Sequence, residues 1–168
     1  MLLQVFAFHF PPSNASGAAR PARLARYLPE HGIQCRVTAH GQTRAGAWPG
    51  VSYVSPSDAR GRWRVALAVA RALHRIAPYN EELPWLPAAL QHAFAEQRTA
   101  PADAVLSTYP PLAAHLAGLL FHLRFGAPWI ADFRDPLADN PFRDRRWARS
   151  YDLWIEKKIV KHAAAILA

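Results

Sequence analysis

Apolar positions in this chain fall into short runs bounded by glycines and prolines, and their spacing switches between that of strands and that of helices. Leu2 to Phe8 is an apolar run that stops at His9-Phe-Pro-Pro, as a buried strand ending in a loop does. Ser13-Asn-Ala-Ser-Gly17 supplies cap and turn residues ahead of Ala18 to His31, where Ala22, Leu24, Ala25 and Leu28 alternate with Arg20, Arg23 and Arg26. Gly32 stops that helix, and Ile33 to Ala39 alternates as a second strand. A strand, helix, strand unit in a chain of this size implies a parallel sheet.

The pattern continues with a short strand at Val51 to Val54 and a helix from Arg60 to Ala77, ended by Pro78. Pro84 and Pro87 interrupt the next stretch before a helix from Ala88 to Gln97. Asp103 to Thr108 reads as a strand, Leu112 to Phe125 as an apolar packed helix ended by Gly126, and Pro128 to Phe133 as a strand. A polar loop, Arg134 to Arg146, leads into an amphipathic helix from Trp147 to His162, and Ala163 to Ala168 reads as a further strand. About six strands alternating with helices give an α/β fold, a Rossmann-like doubly wound parallel sheet with flanking helices. Ligands in such sheets gather beyond the carboxyl ends of the strands, so the informative loops are His9 to Gly17, Ser107 to Pro111 and Asp132 to Arg143.

Length and charge narrow the function. The 168 residues suffice for one domain, and 51% hydrophobic content excludes a disordered tail or a coiled coil. The single cysteine, Cys35, reads as a small buried residue, and its solitude points to a reducing, cytoplasmic setting. No window carries the roughly eighteen uninterrupted apolar residues of a membrane span. The net charge is +8, and 17 of the 20 cations are Arg, which favours anionic partners.

Three loops carry the candidate chemistry. Small residues at the first helix start, with Gly17 and Arg20, suit an anion held by backbone amides and the positive end of the helix dipole. Asp132-Phe-Arg-Asp135 puts two carboxylates and a guanidinium just past a buried strand; Asp132 or Asp135 suits a general base and Arg134 a phosphate partner, with a structural Asp–Arg pair as the plain alternative. Ser107, Thr108 and Tyr109 end a strand at the same crevice. Arg60, Arg64, Arg71 and Arg75 form a basic stripe opposite Val65, Val69, Leu73 and Ile76, which suits either a solvated outer face or an anionic membrane surface. His115 and His122 lack metal-site spacing, and there is no dinucleotide fingerprint, P-loop or G-x-S-x-G elbow.

Taken in order, Phe10-Pro-Pro, Ser16-Gly-Ala-Ala-Arg20, Leu28-Pro-Glu-His-Gly32, Asp103 to Pro111 and Gly126 to Pro136 resemble the N-terminal domain of glycosyltransferase family 4 enzymes of the GT-B fold. The resemblance spans nearly the whole chain. It implies retaining transfer of a sugar from a nucleotide-sugar donor to a saccharide or lipid-linked acceptor held mainly by this half, with no metal or other cofactor. It places Ser16, Gly17 and Arg20 near the donor diphosphate and acceptor, and Asp132, Arg134 and Asp135 near the transferred sugar. Two departures stand out: a single glycine in the first loop where relatives often have two, and Asp-Phe-Arg-Asp where some carry a histidine after the fifth strand.

The resemblance also implies that residues 1–168 are one acceptor-side domain, that the donor-binding domain lies outside this chain, and that the fragment alone is inactive. The work expected of the whole is cell-surface polysaccharide or glycolipid synthesis, in the cytoplasm or peripherally at the inner face of the plasma membrane. Trp63, Trp85 and Trp147 are expected to assist docking there. The competing reading is a non-catalytic nucleotide- or protein-binding α/β module. Nucleic acid is not an expected partner, since the aromatics do not interleave with the cations as in a stacking platform.

Overall fold

The computed structural model describes residues 1–42, 48–76, 82–138 and 146–168. Its strands are β1 (Leu2–Phe6), β2 (Gln34–His40), β3 (Val51–Val54), β4 (Ala104–Tyr109), β5 (Trp129–Phe133) and β6 (Ala165–Leu167). The helices are α1 (Ala19–Tyr27), α2 (Arg62–Ile76), α3 (Leu86–Thr99), α4 (Leu112–Phe125) and α5 (Arg146–His162). All six strands pair in parallel, in the order β3-β2-β1-β4-β5-β6. The chain therefore starts in the middle of the sheet, winds to one edge, returns and winds to the other, which leaves a crevice between the carboxyl ends of β1 and β4. This is the doubly wound Rossmann-like sheet expected from the sequence.

Each face of the sheet buries its own cluster. Leu3, Val5, Val37 and Leu106 pack with Ala22 of α1 on one side. Phe6, Val105, Trp129 and Ala131 pack with Leu112, Ala117 and Phe121 of α4 and Ala89 and Ala93 of α3 on the other. The close approach of α4 depends on Gly118, where a Cβ would lie 2.5 Å from Trp129 Nε1 and 2.9 Å from Ser107 Oγ.

Several boundaries differ from the sequence expectation for physical reasons. The first helix tightens to a 3-10 turn at Leu28–His31, where Pro29 cannot donate to the α-helical ladder, and closes on Gly32 at φ 75°. Pro87 does not precede α3 but sits in its first turn, where a missing amide hydrogen costs nothing. Cys35 is half-buried rather than buried, and its partial burial raises the thiol pKa. The expected end of the second helix at Ala77 and Pro78, and positions 139–145 of the loop after β5, lie outside the described residues.

The placement of α2 departs from the usual amphipathic arrangement. This helix lies against α3 and the 3-10 turn Leu83–Trp85 as an outer layer, and it buries Leu67 and Ala70. The side carrying Val65, Val69, Leu73 and Ile76 is exposed at 69%, 54%, 48% and 79%. The hydrophobic stripe of α2 thus faces away from the core. Trp85 is fully buried in that core, edge-on to Phe8, and takes no part in any outer surface. Trp63 is half-buried and stacks edge-on to Phe94, while the side chain of Trp147 lies outside the described structure.

Candidate functional site

The first loop brings a helix start to the carboxyl end of β1. A 3-10 turn, Ser16–Ala18, runs directly into α1, and no side chain caps either start. Ser16 is exposed, Gly17 and Ala18 are buried, and Arg20 on the first turn of α1 points back over the sheet. The nearby Tyr53 hydroxyl donates to the Pro11 carbonyl and ties β3 to this loop.

Arg20 meets β5. Its Nη1 lies 2.5 Å from Oδ1 of Asp132, whose side chain is fully buried while that of Arg20 keeps 44% of its exposure. The second oxygen, Asp132 Oδ2, is buried without a hydrogen-bond partner. Asp132 stands opposite Thr108 in the β4–β5 register, so both point to the α1 face of the sheet, and Thr108 is buried there. The Asp–Arg pair therefore joins the start of α1 to β5, 112 residues apart in sequence, instead of closing the Asp132-Phe-Arg-Asp135 loop on itself.

Arg134 is held differently. Its Nε donates to the Tyr109 carbonyl at 3.1 Å and its Nη2 to the Pro110 carbonyl at 3.2 Å, which fastens the end of β5 to the end of β4. The guanidinium lies against Gly17, where a Cβ would come within 2.7 Å of Nη2. Gly17, Arg20, Asp132 and Arg134 thus form one cluster. Asp135 stands apart from the Asp132–Arg20 pair, exposed at the lip of a cavity of about 410 Å³ that Phe133, Arg134 and Glu156 also line.

Two expected binding side chains are committed elsewhere. The Ser107 hydroxyl sits below the surface, 2.7 Å from His115 Nδ1, and accepts from Trp129 Nε1 at 2.9 Å. Tyr109 is buried with its ring near His115 and Phe133, so what it offers the crevice is its carbonyl, already taken by Arg134. Because strand side chains alternate, Ser107 and Tyr109 face α4 while Thr108 faces α1.

His9 was not singled out by sequence, although it closes the apolar run of β1. Burial, and next the charge of the neighbouring Arg134 guanidinium, hold its imidazole below the ordinary histidine range; Glu82 opposes the shift and His40 adds to it. A histidine so placed is neutral near pH 7 and able to accept a proton. Among the described residues no three His, Cys, Asp or Glu side chains converge as metal ligands. A cavity of about 760 Å³ beside β3 and α3, lined in part by Tyr53, Ser55 and His92, shares no residue with this cluster.

One solved structure shares this architecture. Sucrose-phosphate synthase from Thermosynechococcus elongatus superposes with a TM-score of 0.60 at 13% identity, over 98% of this chain and 41% of that one. A glycosyltransferase from Streptomyces sp. SF2575, SsfS6, solved with thymidine diphosphate, matches at 16% identity and a TM-score of 0.48, over 96% of this chain and 44% of that one. The chain thus spans less than half the length of these solved structures. No curated protein sequence matches it. A family model, the glycosyl transferase 4-like domain, matches residues 16–168. With nine-tenths of its length matched and the doubly wound sheet in place, the chain belongs to the glycosyl transferase 4-like domain family.

Proposed function

We propose that residues 1–168 are the acceptor-side domain of a retaining GT-B glycosyltransferase, completed by a second Rossmann-like domain that holds most of the donor nucleotide. The observation that carries the reading is the Arg20–Asp132 pair, set with Gly17 and Arg134 at the carboxyl ends of β1 and β5 in a glycosyl transferase 4-like domain. Arg20 keeps nearly half of its exposure, so its free edge can meet a diphosphate while Asp132 orients it. The backbone of Ser16 and Gly17, at a helix start, adds to the same anion site.

In the proposed reaction the C1–O bond between sugar and diphosphate breaks, a bond from C1 to the acceptor hydroxyl oxygen forms, and the hydroxyl proton passes to the departing diphosphate. Arg134 faces the transferred sugar, the buried Asp132 acts through the Arg20 that it holds, and Asp135 stands at the rim of the neighbouring cavity. Thr108, beside Asp132, together with Ser107 and Tyr109 through their backbone, shapes the acceptor wall. No metal is required, because arginines stand where charge develops. The net charge of +8 suits a lipid-linked acceptor at the inner face of the plasma membrane, in cell-surface polysaccharide or glycolipid synthesis.

The test is a donor screen with the full-length protein. Release of a nucleoside diphosphate, together with transfer of the sugar, is the expected result. Tight nucleotide binding without transfer to any acceptor supports the non-catalytic binding module instead.

A further inference from the structure

We infer that the outward side of α2 is a docking surface for an anionic lipid bilayer. Soluble helices place their apolar stripe toward the core, yet α2 does the reverse. Val65, Val69, Leu73 and Ile76 recur at helical spacing along its exposed side, and each keeps between 48% and 79% of its surface. The helix is already anchored from behind by Leu67 and Ala70, so this ridge is not needed for folding. A continuous exposed apolar ridge of this kind marks an interaction site.

Charge decides the occupant. Around the helix from the ridge, Arg60, Arg64 and Arg71 line a depression of about 430 Å³ beside Leu67 and Ala68. Arg62, Arg98 and Arg124 surround a second, of about 270 Å³, floored by Trp63, Phe94 and Phe125 near the start of the helix. None of these arginines pairs with a described carboxylate. A second copy of the chain would present the same arginines and repel them; a bilayer with anionic headgroups offers acyl chains to the ridge and phosphates to the arginines around it. An amphipathic helix lying in the headgroup plane meets both demands at once.

The inference deepens the membrane side of the proposed function but does not use sugar transfer, so vesicle binding and transfer fail independently. The experiment is co-sedimentation of the chain with vesicles of equimolar phosphatidylglycerol and phosphatidylcholine, and with vesicles of phosphatidylcholine alone, at about 0.1 M salt. The expected result is binding to the anionic vesicles only. Val69→Asp with Leu73→Asp weakens it at least about tenfold, and Arg64→Glu with Arg71→Glu at least about twentyfold. Circular dichroism and melting confirm that the variants are folded, and Val65→Ser with Val69→Ser replaces the first pair if it is not. The inference is overturned by the absence of binding, by equal binding to both vesicles, or by binding that the apolar variants leave intact. It is equally overturned if light scattering shows a dimer that the apolar variants dissociate while vesicles are ignored.

Discussion

Gly17 lies directly against the guanidinium of Arg134, so close that a methyl group there would sit 2.7 Å from Nη2 and 3.2 Å from Cζ. The glycine is fixed by this contact and not by an unusual backbone conformation. Arg134 cannot simply swing aside, since its Nε and Nη2 are bonded to the Tyr109 and Pro110 carbonyls. Gly17→Ala is therefore expected to unseat Arg134 and to lower kcat/KM of the full-length protein at least about tenfold. Its cost in stability should stay within about 1–2 kcal/mol, the worth of the two displaced bonds. Parallel kinetics and urea unfolding check both halves.

The Arg20–Asp132 pair should be asymmetric. Arg20→Ala leaves a fully buried carboxylate alone, and with Arg20 itself partly exposed the expected loss is about 2–3 kcal/mol, below the range for a pair buried at both ends. Adding Asp132→Asn removes the stranded charge and should recover part of that loss. A double-mutant cycle measured by denaturant unfolding gives the coupling directly.

His115 sets an acid limit on the fold. Its complete burial pushes the imidazole down to about 3. The folded state thus refuses a proton that the unfolded chain accepts below its ordinary value near 6.5. Stability from this residue is intact above pH 6.5 and is lost as pH falls from there toward 3, with a slope approaching ~1.4 kcal/mol per pH unit. Unfolding midpoints across that window should fall less steeply in His115→Gln than in the native protein, even though the substitution lowers stability at pH 7 by disturbing the bond to Ser107.

The order of strands and helices was legible because Gly32 and Gly126 mark helix ends with positive φ, and because apolar runs bracket them. Gly17, Arg20, Asp132 and Arg134 were legible as loop residues, but their pairing was not, since Asp132 finds Arg20 from 112 residues away and not its neighbour Arg134. That Ser107 and Tyr109 turn toward α4 was not legible, because a strand buried on both faces, as β4 is throughout, gives no alternation to show which residues face which helix. The sidedness of α2 was hidden for a related reason. A helical wheel separates apolar from basic positions, but only the neighbouring α3 determines which side is covered. His9 carried a faint signal as the first polar residue past an apolar strand, and its electrostatic link to Arg134 emerges only in three dimensions.

The most direct measurement is turnover of the full-length protein with a panel of sugar nucleotides, comparing the native sequence with Asp132→Asn. Transfer from one donor, cut about a hundredfold or more by Asp132→Asn while the melting curve shows a folded protein, is the predicted result. Undiminished transfer by Asp132→Asn, or no release of nucleoside diphosphate from any donor by the native protein, would contradict the assignment of this cluster as the sugar-transfer site.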